Sequence, residues 1–530
     1  MNDPYAALTT KKTPQTEQAH PAQVANSAGG FSFQVSTTQR LERFLILGTW
    51  GGSYYASEQK LTKDAFNNLN KLVEIDGMKV VDTILDISLN NRAYKQQPTL
   101  FALAVCASAA DPAVRKYALR VVSKVCRTGT MFFQFIGYTQ QFRGWGSGLR
   151  KAVGAWYTNK TPDQLATQLV KYRQRDGWTH RDALRLAKPT PPFDVNLNAA
   201  IRWAVGKDAT PEFLPRLIQG FEMAQATTDP AQWVALINEY QLPWEALPTQ
   251  ALNETAVWEA LVPHLGLTAV LRNLGKMGAT GALVNHSELA KLVNARLADV
   301  DAYAKARVHP MQVLLAANTY SSGRGVKGNN TWTPVPTVID SLNAGFYTAF
   351  GHLPMTNKRR MLALDVSGSM AGGFYGGGVA GTHLSPREAS GALAMVALHQ
   401  DPESYTKGFS NTFIDLGLSK GMRLDSVIKK ISGLPFATTD CSLPMVYALN
   451  NKIEVDSFEV YTDSETFAGR IHPHQALTEY RNKMGIPAKL IVNGMVANNF
   501  TIADPNDAGS LDVVGFDGST PQIISDFICG

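Results

Sequence analysis

RRMLALDVSGSM, residues 359–370, decides the fold of the C-terminal third of this 530-residue chain. Met361 to Leu364 form a continuous apolar run, the pattern of a strand buried on both faces. The run ends in Asp365, Ser367 and Ser369, which crowd one carboxylate and two hydroxyls into a tight strand-to-helix loop. Three later runs read the same way: SFEVYTDSE (457–465), AKLIVNGMV (488–496) and LDVVGFDG (511–518). Helical stretches lie between them, namely SPREASGALAMVALHQ (385–400), LDSVIKKISG (424–433), LPMVYALNN (443–451) and HQALTEYRNKMG (474–485). Alternating strands and helices imply a mostly parallel sheet covered on both faces. Residues 358–530 are therefore expected to form one α/β doubly wound, Rossmann-like domain, with its functional loops at the C-terminal ends of the strands.

Upstream of Lys358 the pattern is different. From about Thr38 to Ala349, apolar residues recur at three- and four-residue steps, as in LERFLILG, PAVRKYALRVVSKVC and LAKLVNARLADV. Short breaks carrying Gly, Pro, Asp or Asn separate them. Many short helices with hardly any strand pattern predict an all-α, HEAT-like solenoid over residues 31–357. No clean repeat is visible, so an irregular helical globule is the alternative. Residues 1–30, rich in Thr, Gln, Ala and Pro, read as a flexible tail.

A chain of 57.7 kDa is too long for a single ordinary core. Hydrophobic residues at 45% and charged residues at 18% exclude global disorder. No run of about 18 apolar residues occurs, and the N-terminus lacks the apolar core of a secretory signal. Cys106, Cys126, Cys441 and Cys529 are too few and scattered for a disulfide framework or a zinc cluster. A reducing, cytoplasmic home is the expectation, without membrane contact. The net charge of +6 is the sum of unlike parts. Residues 361–530 hold 11 basic and 18 acidic residues, a net of −7, which leaves +13 for residues 1–360. Arg92 to Lys188 alone contain 17 basic and 4 acidic residues. That segment suggests a polyanionic partner.

Two constellations carry chemistry. The loop at Asp365 is joined by Thr439 in ATTDCSLPM and Asp463 in VYTDSE, each following a predicted element. Two carboxylates, three hydroxyls and water suit a hard divalent cation such as Mg²⁺. DVSGSM, TTDC and YTDSE together resemble the von Willebrand factor A domain with its metal-ion-dependent adhesion site. The resemblance implies that Ser367, Ser369 and Thr439 contact the ion. Asp365 and Asp463 would hold it directly or through water, leaving one position for a partner's acidic group. No general base or nucleophile is supplied, so the site reads as a binding device.

The second constellation is basic. Lys171 and Arg175 sit four apart in a stretch with helical spacing, and Arg120, Lys124 and Arg127, like Arg181, Arg185 and Lys188, recur at four and three. Such stripes can track phosphates and make binding salt-dependent. Aromatics lie among them, including Phe132, Phe133, Phe135, Tyr138, Phe142, Trp145, Trp156, Tyr157, Tyr172 and Trp178. Rings of this kind can stack bases, although at helical spacing most are expected in the core. No zinc finger or basic zipper supports sequence-specific DNA reading.

PTLFALAVCA, GWGSGLRKAVGAWY and RDGWTHRDALRLAKPTPP are similar to the TROVE module of the Ro autoantigen family. So are RLERFLILGTWGGSYYASEQKL upstream, and LTAVLRNLGKM, HPMQVLLAANTYSSGRGVKGNNTW and GFYTAF downstream. The likeness runs from about Ser32 to Gly530, with the A domain in its expected place, and the length fits a bacterial-type member. It implies a helical-repeat ring closed by the A domain. Small structured Y-like RNAs would bind its outer basic surface, and single-stranded 3′ ends of misfolded noncoding RNAs would thread its hole, in RNA quality control. Lys171 and Arg175 match basic positions tied to RNA binding in the family. His180 and Arg185 fall in the same matched stretch, and Arg150 and Lys151 lie in GWGSGLRKAVGAWY. Animal members carry histidine at the position of Lys188, so a histidine-specific contact is not carried over. A bacterial exoribonuclease such as polynucleotide phosphorylase, tethered through Y-like RNA, is the implied protein partner, and a closed ring implies a monomer.

Other motifs read as structural. Gly144-x-Gly146-x-Gly148 follows no strand, and the Gly-rich insert GGFYGGGVAGTH (372–383) has no Gly-Lys-Ser/Thr; it reads as a lid or as slack. His472-Pro-His474 reads as a loop, and Cys441 as a small buried residue. The chain is expected to be a non-catalytic RNA-binding protein. The alternative is a metal-dependent protein-interaction module using the A-domain site.

Overall fold

The computed structural model describes the chain except residues 1–3, 10–11, 49–60, 94, 326–328, 352, 372–378, 380–383 and 436, and the side chains of 61–65. The Gly-rich insert thus lies almost entirely outside the described residues. Two compact units emerge: residues 68–89 with 96–349, and residues 1–67 with 90–95 and 350–530.

The second of these units begins at the N-terminus, where the expectation of a flexible tail is overturned. Strand β1 (Gln23–Ala25) pairs antiparallel with β2 (Phe31–Gln34). Tyr5 and Leu8 are buried in a core shared with Met361, Phe409, Val446, Phe458 and Tyr480. The segment was misread because it has no apolar period. Polar side chains such as Gln15 and Asn26 tether it to residues more than 400 positions away. Residues 31–67 and 350–357 also lie in this unit, so its boundaries differ from the expected 31–357 and 358–530 division.

The other unit is helical. Gln97–Ala107 packs on Pro112–Val125 and Gly129–Phe142, and Pro112–Val125 packs on Ser147–Thr158. The same near-neighbour pattern continues to Pro310–Ser321 against Pro336–Thr348. Contacts between elements close in sequence are what a helical-repeat module requires. Sequence punctuation sets the helix ends: Asp111, Thr128, Thr161, Asp194 and Asp229 each cap a helix N-terminus through a side-chain oxygen. A small hairpin, β3 (Gln174–Arg175) with β4 (Trp178–Thr179), interrupts the helices.

The sheet of the C-terminal part contains β5 (Arg360–Asp365), β6 (Tyr405–Phe409), β7 (Phe413–Asp415), β8 (Ser457–Thr462), β9 (Lys489–Gly494) and, beyond the short β10 (Phe500–Thr501), β11 (Ser510–Val513). The order is β11-β9-β8-β5-β6-β7, parallel throughout except β7. β10 pairs instead with β2. Met361, Ala363, Phe458, Val460, Leu490 and Val492 face helices Leu443–Asn450 and Pro473–Met484. Residues alternating with them, such as Glu459, Tyr461 and Ile491, face Pro386–Gln400 and Ser519–Cys529. Both faces are covered, as a doubly wound domain demands. On one face a buried Arg360 is balanced by Glu459 (2.6 Å) and Asp401 (2.7 Å). The chain leaves β5 toward β6 on one side, and β8 flanks β5 on the other. The switch point therefore lies at the carboxyl ends of β5 and β8, where ligands bind in open α/β sheets.

Candidate functional site

Asp365 is the last residue of β5, and Asp463 directly follows β8, so both carboxylates stand at that switch point. Ser367 and Ser369 lie in the turn after β5, with hydroxyls 3.0 Å apart. Asp365 Oδ1 accepts from the Ser367 amide at 2.9 Å, and its Oδ2 from the Thr462 hydroxyl at 2.7 Å. Asp463 Oδ1 accepts from the Glu465 amide at 3.0 Å. All five expected ligands are buried. Among the described residues, Asp463 Oδ2 and Thr439 Oγ1 are buried without a hydrogen-bond partner. Burial, and then the charge of Asp463, push the Asp365 carboxyl up to about 7; burial also raises Asp463, against the lowering effect of Ser369. Arg387, which Asp365 influences electrostatically, has Nη2 committed to the carbonyls of Val366 and Ser367 (3.1 Å to the latter). Orphaned oxygens and an undercompensated carboxylate pair are what a hard divalent cation would satisfy. The set fits such an ion through hydroxyls, and among the described residues no cluster of three or more His, Cys, Asp or Glu does so.

Thr462 and Arg387 were missed in the sequence reading. Thr462 precedes Asp463 in the same motif, and its alternation along β8 was the available signal. Arg387 had none, because its role depends on a turn twenty residues away. Cys441 is fully buried, and burial raises its thiol. His472 is the N-cap of helix Pro473–Met484: its amide donates to Gln475 Oε1 at 3.4 Å, and its ring meets Gln23 and the carbonyls of Pro14 and Glu17.

The basic positions distribute less simply. Lys171 ends helix Pro162–Lys171 and is half-buried, whereas Arg175 stands exposed in the β3–β4 hairpin. They do not share a helical face. Asp176 and Gly177, both at positive φ, form the two-residue turn that ends the helical spacing, and Asp-Gly was the signal for it. Arg120 and Lys124 are exposed on their helix, but Arg127 lies beyond its end and donates to the Ser88 carbonyl and hydroxyl at 2.9 Å. Arg150, Lys151, Arg181, Arg185 and Lys188 are exposed.

His180 is withdrawn from the surface set. Its ring is 4% exposed, with Nδ1 2.9 Å from the Tyr157 hydroxyl and Nε2 3.2 Å from the Gln168 carbonyl. Burial is the main cause that lowers it from 6.5 to about 4. Because the folded value is depressed, the stability it confers is complete above pH 6.5 and is lost as pH falls toward 4. The fold should lose about 2 kcal/mol of stability between pH 7 and pH 5 from this group. Urea unfolding at the two pH values, with His180→Gln as reference, measures it; an equal pH slope in both proteins refutes the assignment.

Phe132, Phe133, Phe135, Trp156 and Tyr157 are core residues. Trp145 and Trp178 are half-exposed, with ring centroids 5.8 Å apart, and Trp178 is the cross-strand partner of Arg175. Phe193, which the sequence reading overlooked, is fully exposed five residues beyond Lys188.

Eleven lysines and arginines between residues 96 and 188 are exposed: Lys116, Arg120, Lys124, Arg143, Arg150, Lys151, Arg173, Arg175, Arg181, Arg185 and Lys188. Among the described residues, none of them forms an ion pair with a carboxylate.

A helical-repeat module with unpaired surface cations, joined to a von Willebrand A-type domain with a buried carboxylate–hydroxyl site, defines the class. Residues 24–210 and 239–321 match the TROVE domain, and residues 359–528 match the Ro60 von Willebrand A domain. The chain belongs to the Ro60 family, as a bacterial-type member. It is 41% identical to the RNA-binding protein RO60 of Deinococcus radiodurans over 537 aligned positions, covering 100% of both chains. It is 35% identical to the RNA-binding protein RO60 of Caenorhabditis elegans, covering 98% of this chain and 92% of that one. The crystal structure of the Deinococcus radiodurans RO (RSR) protein matches with a TM-score of 0.69 and 40% identity, covering 93% of this chain and 100% of that one. No helix among the described residues is long and apolar enough to cross a membrane.

Proposed function

We propose that this chain is a non-catalytic RNA-binding protein of a small ribonucleoprotein, acting in RNA quality control. The observation that carries this reading is the set of eleven exposed cations without carboxylate partners, which accompanies full-length similarity to proteins named for RNA binding. Protein-internal ion pairs would have neutralised such charges; left open, they favour phosphates. Y-like small RNAs would occupy the outer basic surface. Single-stranded 3′ ends of misfolded RNAs would thread the hole that family likeness implies. Trp145, Trp178 and Phe193, exposed wholly or in part, offer faces for unpaired bases.

In this reading the five residues at the switch point hold Mg²⁺, which when bound supplies a Lewis-acidic position for an acidic group of a partner. Asp365, Ser367, Ser369, Thr439 and Asp463 would hold and orient it; none is placed as a nucleophile. The protein works as a cytoplasmic monomer, with an exoribonuclease such as polynucleotide phosphorylase recruited through the bound RNA. A metal-dependent protein-interaction module is the second reading, favoured by the buried carboxylate pair.

Purified protein is titrated with a structured RNA, with and without a single-stranded 3′ tail, across a salt series. Engagement of six or more phosphates should weaken binding by about 1,000-fold between 50 and 200 mM salt, and the tail should add affinity. Binding that ignores salt refutes the RNA reading. RNA cleaved on long incubation with Mg²⁺ refutes the non-catalytic one.

A further inference from the structure

Two of the three loops that carry the switch-point ligands are held by the first 36 residues of the same chain. Gln15 is fully buried and all its polar groups are engaged. Its Nε2 donates to Asp440 Oδ1 at 2.8 Å and to the Ile471 carbonyl at 2.9 Å. Its Oε1 accepts from the Gly469 amide at 3.1 Å and from the Thr466 hydroxyl. Its own amide donates to Gly469 O, and its carbonyl accepts from Phe31, both at 2.9 Å. The Tyr5 hydroxyl donates to the other oxygen of Asp440. Asp440 adjoins Thr439, and its Oδ1 also fixes the Ser442 amide and hydroxyl at 3.0 and 2.6 Å.

The loop after Asp463 is gripped in the same manner. Ser464 adopts φ +61°, a left-handed conformation that a non-glycine residue keeps only when its surroundings enforce it. Its carbonyl accepts from the Ser32 hydroxyl at 2.8 Å. Asn26 Nδ2 donates to the Thr466 carbonyl at 2.9 Å, and Gly30 lies so close to that carbonyl that a Cβ there would collide with it. The two loops are tied to each other where Thr439 O accepts from the amides of Phe467 (3.1 Å) and Ala468 (3.0 Å). Residues from the opposite end of the sequence thus reinforce the direct tie that sets the spacing between Thr439 and Asp463.

We propose that the N-terminal segment is a working part of the cation site: a clamp that holds Thr439 and Asp463 at the separation the ion needs, with Gln15 and Tyr5 as positioning residues. The proposal rests on the reading that the switch point takes a divalent cation. Ion occupancy and clamp order are then linked, and linkage is reciprocal: a clamp that tightens the ion is itself tightened by it.

Full-length protein, Gln15→Ala and Tyr5→Phe are titrated with Mg²⁺ and Mn²⁺ by calorimetry. Gln15→Ala should bind either ion about 5-fold or more weakly, with a smaller loss in Tyr5→Phe. RNA affinity and far-ultraviolet circular dichroism should stay unchanged. Hydrogen exchange on the unmodified protein is independent of whether any variant folds. Amides of Gln15, Phe31 and Val35 should exchange about 5-fold or more slowly with saturating Mg²⁺. Ion affinity unaltered in both variants, with exchange unaltered by the ion, overturns the clamp while leaving the cation reading intact. No Mg²⁺ or Mn²⁺ binding by the unmodified protein overturns both.

Discussion

Replacing Arg175, Arg181, Arg185 and Lys188 together by Glu should lower affinity for structured RNA by about 100-fold or more at low salt. All four side chains are exposed and make no carboxylate contact, so their loss costs the fold little beyond the Arg175 bond to the adjacent Gln174 carbonyl and the Arg185 charge at the end of its helix. Each phosphate contact contributes about 0.9 to the slope of log affinity against log salt on a duplex. Four lost contacts should therefore flatten that slope by roughly 3 to 4. The two binding curves should converge as salt rises, because the variant lacks only the salt-sensitive part. Surface substitutions of this kind shift stability by about 0.5 kcal/mol each at most, so the melting temperature serves as the control. An unchanged slope would place the RNA elsewhere on the protein. The same reversal at Arg127 is uninformative, since that guanidinium is spent on Ser88.

The second large effect concerns the switch point. Mg²⁺ at about 100 times its dissociation constant should stabilise the protein by about 2.7 kcal/mol, and Asp365→Asn should abolish that gain. The isosteric amide keeps an acceptor for the Ser367 amide and still meets the Thr462 hydroxyl. It also removes one of two fully buried carboxylates that disfavour each other's charge. The metal-free variant should therefore melt no lower than the metal-free parent. Differential scanning calorimetry with and without Mg²⁺ reads both quantities. A variant still stabilised by Mg²⁺ would move the ion away from Asp365. RNA affinity should be unaffected, and a loss there would mean that the site touches RNA directly.

Much of the C-terminal domain was legible because its strands are buried on both faces. RMLALD and SFEVYT are buried along their whole length, and Asp365 ends the first while Asp463 directly follows the second. The helical module was legible through its capping residues and spacing. What failed to read depends on long-range or turn-specific facts. Lys171 and Arg175 have the spacing of one helical face, but the Asp176–Gly177 turn overrides it. His180 sits among basic residues, yet its ring satisfies Tyr157 and Gln168 inside. The N-terminal segment has the composition of a tail, and its described residues become structure through partners between Met361 and Thr501. No local pattern could report those partners.

The placement of Gln15 between Asp440 and Ile471 has a consequence for biosynthesis. A ribosome releases the N-terminal segment first and its partners last, separated by more than 400 residues of translation. At about 5–20 residues per second, Gln15 waits on the order of half a minute or longer for Asp440 and Ile471. The C-terminal domain closes by recapturing residues synthesised more than 400 positions earlier.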